Sequence, residues 1–176
     1  DIQGGALVWF GNGAIAQNFV VYGNITVAPL SAIFNRGGAT NQMISIGGNL
    51  INNANGLVNA PAGNMARCDF STIPVTFFGS TSASITNTLG APLTIFGQVI
   101  INKGTTQATT LTCNIGGAMT TLINNWLTLQ NGTFRYMRTD PSTDFTISTN
   151  TPFTIPSTAG LSVDYTNANN TNILIG

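Results

Sequence analysis

Two stretches, ISIGGNLINNAN at residues 44–55 and LTIFGQVIINKG at residues 93–104, decide how this chain folds. In each, apolar residues alternate with others up to a glycine, resume two positions beyond it and give way to asparagine. Period-2 alternation over a few residues marks a strand with one buried face. A glycine at its end lets one strand bend into the next, because glycine adopts backbone angles closed to other residues. Aligning the two stretches on Gly48 and Gly97 brings two more segments into phase: Phe19, Val21, Ile25 and Val27 around Gly23, and Val75 and Phe77 before Gly79. Strands that recur every few tens of residues between polar turns of varying length predict a solenoid, each coil stacked on the last. The asparagines fit that expectation, since Asn tolerates left-handed turn conformations and forms side-chain ladders between stacked strands.

The C-terminal third keeps the strands and changes the rhythm. Short strands are expected at Leu127–Leu129, Thr133–Met137, Phe145–Ser148, Phe153–Ile155, Leu161–Val163 and Asn172–Ile175, separated by Asn-Gly, Asp-Pro-Ser and Thr-Ala-Gly turns. Three short strands per coil is the cross-section of a right-handed parallel β-helix. A β-sandwich competes, because evenly spaced strands with turn signals also predict that fold. The recurring motif and the scarcity of two-residue hairpin turns favour the solenoid. Met119–Leu127 has the apolar spacing of a short helix, but its Thr and Asn suit a strand or loop equally well. Residues 1–176 therefore read as one all-β solenoid segment. Its apolar extremities, Leu7–Phe10 and Ile173–Ile175, lack the polar face of a capping coil, which suggests a piece of a longer chain.

Composition narrows the function. Only 6% of residues are charged: five Asp, four Arg and one Lys, with no Glu and no His. A typical domain is about one quarter charged, so this surface is built of Asn, Thr, Ser, Gln and Gly. Zero net charge without a basic cluster leaves no footprint for a phosphate backbone, which argues against a nucleic-acid partner. It also favours self-association. No apolar run has the length, about 20 residues, of a spanning helix, so membrane insertion is not expected. Without His, zinc sites and Ser-His or Cys-His nucleophiles are excluded, although a Ser-Lys pair is not. Cys68 and Cys113 are either one disulfide or two small buried hydrophobes. The sequons headed by Asn24, Asn131 and Asn169 are expected by chance in so Asn- and Thr-rich a chain.

The phrases ISIGGNLINNANG, LTIFGQVIINKG, LTLQNGTF and FTIPSTAGLSV resemble the β-strand repeats of very large secreted surface proteins of Bacteroidota, in which glycine-punctuated strands lead into Asn-rich turns. The resemblance implies an adhesin-like or filament-forming exoprotein exported by the type IX system and displayed at the cell surface. Its motifs are structural, so it assigns no catalytic, cofactor-binding or metal-binding residue. Partners would be neighbouring domains of the same chain, further copies, the export machinery or surface glycans.

Carbohydrate chemistry is the alternative, since β-helices also act on polysaccharides. A hydrolase needs paired carboxylates. The five are Asp1, Asp69, Asp140, Asp144 and Asp164; Asp140 and Asp144 flank a Pro-Ser turn, where Asp is a routine turn former. Asp69 and Asp164 could meet only across coils. Arg135 and Arg138 beside Asp140 and Asp144 make the single charged cluster, which reads as a solvated ion-pair patch or, in a lyase, as a base beside calcium. Lys103 sits in an Asn-Lys-Gly turn and is expected to face solvent. Trp9 and Trp126 lie in apolar alternation and are expected in the core, whereas Tyr22, Tyr136 and Tyr165 could stack on sugars. The Thr-x-Thr pairs at 86/88 and 149/151 are too scattered for an ice-binding plane. The chain is thus expected to be a non-enzymatic stalk, filament or adhesive scaffold.

Overall fold

Alternating apolar residues in a helix-poor sequence produce strands throughout. The computed structural model describes residues 1, 6–11, 15–35, 41–54, 68–88, 94–115, 120–121, 125–138, 145–146, 152–165 and 173–174. In chain order the strands are β1 (Leu7–Phe10), β2 (Gln17–Val21), β3 (Ile25–Val27), β4 (Ala32–Asn35), β5 (Gln42–Ile46), β6 (Leu50–Asn52), β7 (Cys68–Gly79), β8 (Ala83–Asn87), β9 (Thr94–Lys103), β10 (Thr110–Asn114), β11 (Thr120–Thr121), β12 (Leu127–Arg138), β13 (Phe145–Thr146), β14 (Ala159–Tyr165) and β15 (Ile173–Leu174). No helix occurs among the described residues.

The path visits three faces in turn. The first holds β1, β4, the start of β7, the start of β9 and β11. The second holds β2, β5, the ends of β7 and β9, and the start of β12. The third holds β3, β6, β8, β10, the end of β12 and β14. β13 pairs with β15. Every pairing among the described residues is parallel, which makes the fold a β-solenoid of stacked coils and removes the antiparallel sandwich. Six expected C-terminal strands reduce to four: the two around the Asn131-Gly132 pair fuse into β12, and Pro152–Pro156 runs extended without joining a ladder, as two residues lacking an N–H dictate. The Met119–Leu127 segment contributes β11 and the start of β12.

Register builds the core. On the second face Phe19, Ile44, Val75, Val99 and Leu127 form one inward column, and Val21, Ile46, Phe77, Ile101 and Leu129 form the next. On the third, Ile25, Leu50, Ile85, Cys113, Tyr136 and Val163 do the same. Burial of each such side chain contributes about 1.5–3 kcal/mol, and apart from Phe19, which is 52% exposed in the first coil, the columns merge into one cluster along the axis. One polar knot interrupts it: Asn52 Nδ2 donates to Thr94 Oγ1 (3.1 Å), Thr94 Oγ1 donates to Asn87 Oδ1 (2.8 Å), and Asn52 Oδ1 accepts from the Ala54 N–H (3.1 Å). Cys68 and Cys113 are free thiols, buried on different faces, so the reading as small hydrophobes holds and the disulfide does not.

The glycine alignment is corrected by this register. Gly48 N–H donates to Gly23 O (2.9 Å), and Gly104 N–H to Gly79 O (2.8 Å), at the corner between the second and third faces. Opposite Gly79 in the next coil stands Lys103, and Asn131 pairs with Asn102 one coil further, bringing Gly132 beside Lys103. The column thus reads Gly23, Gly48, Gly79, Lys103, Gly132. Gly97 belongs to the preceding corner, where a Cβ would lie 2.2 Å from Ser71 O. LTIFGQVIINKG therefore lies one face out of phase with ISIGGNLINNAN. Glycine serves both corners, and period-2 alternation does not say which corner it has reached.

Candidate functional site

The glycine corner holds the most unusual side chain. Gly79, Gly104 and Gly132 have φ of 93°, 66° and 82°, a left-handed region that glycine occupies at little cost. In this column Lys103 stands where the two preceding coils have Gly48 and Gly79. Its side chain is 0% exposed, and its Nζ donates to Phe78 O (2.6 Å) and Gly47 O (2.9 Å), one carbonyl from each of the two preceding coils. Lys103 is therefore an internal clamp and not the solvent-facing turn residue expected. Burial lowers its pKa from the ordinary lysine value. Among the described residues no carboxylate pairs with the amine, so its chemistry is that of an ammonium held by carbonyl dipoles.

The expected charged cluster takes a different form. Arg135 points outward from β12 and its Nε donates to Asp164 Oδ2 on the neighbouring strand, both side chains being well exposed. An exposed pair of this kind contributes at most about 1 kcal/mol. Asp140 and Asp144 lie outside the described residues, as does the side chain of Arg138. Tyr136 faces inward beside Cys113 and is buried, so it is withdrawn from any sugar-stacking role. Tyr165 ends β14, and its side chain is outside the described set. Asp69 and Asp164 do not meet: Asp69 is on the first face, buried, where its Oδ1 accepts from the Ser71 N–H (3.0 Å), while Asp164 is on the third. Among the described residues no three His, Cys, Asp or Glu side chains converge on a metal position.

Threonine forms no flat plane. The outward column through Thr86 reads Thr26, Ile51, Thr86, Asn114, Met137 and Asp164. Thr149 and Thr151 lie outside the described residues. Amides do form ladders: Asn131 Nδ2 donates to Asn102 Oδ1 (2.9 Å), Asn49 N–H to Asn24 Oδ1 (2.8 Å), and Ser84 N–H to Asn49 Oδ1 (2.8 Å).

The two tryptophans part company. Trp126 is core, 2% exposed, edge-on to Phe134 at 5.9 Å. Trp9 is 52% exposed, against expectation. The physical reason is parity: Val8 and Phe10 pack toward the core, so the residue between them projects outward. Around it the coil formed by β1, β2 and β3 opens two cavities. One, of about 280 Å³, is the mouth of the core, lined by Asp1, Val8, Phe19, Val21, Ile25 and Ile33 among others. The second, of about 320 Å³, is lined by Val8, Trp9, Phe10, Gln17, Asn18, Phe19 and Gln42. A third cleft, of about 340 Å³, lies between the start of β12 and the Pro152–Pro156 segment at the other end. Sequence reasoning missed the Trp9 groove, although the alternation Val8-Trp9-Phe10 carries the signal that would have found it.

These features define a class: a charge-poor, amide-laddered parallel β-solenoid. Comparison with known proteins finds no matching family model, no matching curated protein and no matching solved structure.

Proposed function

We propose that the chain is a non-enzymatic structural or adhesive module of a secreted or cell-surface bacterial protein, serving as stalk, filament or adhesin scaffold. The observation that carries this reading is the continuity of backbone ladders, apolar columns and amide ladders along one axis. Such a stack transmits load and spaces attached parts, because each coil satisfies the backbone groups of the next. The resemblance to Bacteroidota surface repeats adds type IX export and extracellular display to the proposal. Among the described residues β14 is paired on one side only, and its other edge supplies the chemistry by which neighbouring domains or further copies would attach.

Removal of one coil tests the mechanism. Deleting residues 24–48 joins Gly23 to Asn49, so that Gly23 takes the place of Gly48, its neighbour in the corner column, and Lys103 is kept. A nearest-neighbour scaffold loses one coil's length by small-angle scattering and still unfolds cooperatively. Global unfolding of the deletion variant under conditions that preserve the parent would reject the scaffold model.

A further inference from the structure

We propose that the groove beside Trp9 is a binding site for a neutral saccharide. It stands independently of the scaffold reading, since a sugar site could serve an adhesin or any other sugar-binding chain.

Recognition of an uncharged sugar asks for two things at once: an aromatic surface for the apolar C–H face of the ring, and planar amides for its hydroxyls. The groove combines both. Phe10 and Phe19 meet edge-to-face with centroids 6.3 Å apart and form its floor, while the half-exposed Trp9 stands at its side. Three amides complete the lining, and two of them are held in place by their neighbours. Asn18 Oδ1 accepts from Ser45 Oγ (3.0 Å), which commits the oxygen and leaves the Nδ2 hydrogens to donate elsewhere. Gln42 Nε2 donates to Ile15 O (3.3 Å), which commits the nitrogen and leaves Oε1 to accept. The exposed Gln17 side chain has no hydrogen-bond partner among the described residues and offers both groups. An anchored donor, an anchored acceptor and one adaptable amide are the complement of vicinal hydroxyls, each of which both donates and accepts.

Charge selects within the sugars. Among the described residues no charged side chain lines the groove, and the adjoining core mouth, which shares Val8 and Phe19, includes Asp1. A uronate or sulfated sugar would lose its hydration there without gaining a cation, and would meet a carboxylate nearby. The competing occupant is a β-strand from a peptide or a second copy, added to the edge of β2 that no described strand pairs. Strand addition would use backbone groups and the inward residues Phe19 and Val21. It gives no role to the outward indole or to the amide atoms left open by their anchoring bonds, and so the saccharide is the better fit.

The test is titration of the whole chain with defined neutral hexasaccharides, the β-1,4-linked glucose, mannose and xylose series and the α-1,4-linked glucose series, with an oligogalacturonate as the charged control. Binding is read by calorimetry and by tryptophan fluorescence, to which exposed Trp9 responds while buried Trp126 supplies a constant background. At least one neutral series is expected to bind and the galacturonate is not. Trp9→Ala should weaken binding by about tenfold or more, and Gln17→Ala by about threefold to tenfold, as loss of an aromatic anchor and of an amide hydrogen bond would. Tyr22→Ala, which removes an 84% exposed ring outside the groove, should leave affinity unchanged. Circular dichroism of each variant checks that the fold is retained. No binding by any neutral series, binding indifferent to both Trp9→Ala and Gln17→Ala, or concentration-dependent self-association blocked by Trp9→Ala without sugar binding would each overturn the proposal.

Discussion

Replacing Lys103 is the sharpest trial of the internal clamp. In Lys103→Ala, Phe78 O and Gly47 O each lose a buried charged donor. An unsatisfied buried acceptor costs about 1–3 kcal/mol, so the two together cost roughly 2–6 kcal/mol. The three methylenes beyond Cβ vacate buried space, at about 0.8 kcal/mol each. Against these stands the relief of a desolvated ammonium, whose lowered pKa shows that the fold disfavours the charge. The net expectation is a loss of about 3–5 kcal/mol for Lys103→Ala, toward the extreme of single substitutions. Lys103→Met refills that space and forgoes only the hydrogen bonds, so it should lose about 1–3 kcal/mol. Urea denaturation followed by circular dichroism reads both. For a chain of this size 1 kcal/mol moves the thermal midpoint by about 2–4 °C, so the alanine variant should melt roughly 10 °C lower. An alanine variant within about 0.5 kcal/mol of the parent, the usual range for surface substitutions, would refute the clamp.

The remaining predictions follow from the thiols and the glycines. Burial, with a smaller contribution from Asp69 at Cys68, pushes both cysteine pKa values far above their ordinary 9.0. Above about pH 9 the unfolded thiols ionise while the folded ones keep their protons, so the native state binds more protons and stability falls as pH rises, by about 1.4 kcal/mol per unit per proton. Lys103 has the opposite sign: its folded pKa lies below 10.5, and between those values stability rises with pH. Two thiols outweigh one amine, so urea midpoints should drop from pH 9 to 10.5, and the drop should vanish in a Cys68→Ala, Cys113→Ala double variant; a flat parent profile would mean that the thiols are not buried. Gly97→Ala, whose Cβ would meet Ser71 O at 2.2 Å, should cost about 2–4 kcal/mol, whereas Gly23→Ala, with open space around its Cβ, should change stability by less than about 0.5 kcal/mol; equal effects in thermal melts would contradict the register.

What the sequence disclosed, and what it hid, divides along one line. Alternation reports which residues of a strand face inward, so the all-β class, the parallel stack and the column through Phe19, Ile44 and Val75 are legible. It does not report which strand of a coil is being read, and so the Gly97 corner was taken for the Gly79 corner. Lys103 was misread for the same reason. Its Asn-Lys-Gly context describes a turn, and only register sets its amine against Phe78 O and Gly47 O of the two previous coils. Trp9 was misplaced because an apolar neighbourhood was weighed above parity. The groove it borders draws Gln42 from the following coil, a juxtaposition that no local pattern encodes.

The direction of the ladders governs how the molecule would behave under tension. Strands run across the axis and their hydrogen bonds run along it, so a pull along the axis loads the interfaces in series and peels the weakest first. A pull across the axis would have to shear whole strands at once. Lys103 alters that sequence, because it ties its own coil to the two before it. In a stretching experiment the extension trace should therefore be a staircase of small ruptures with one larger step, where three coils are released together.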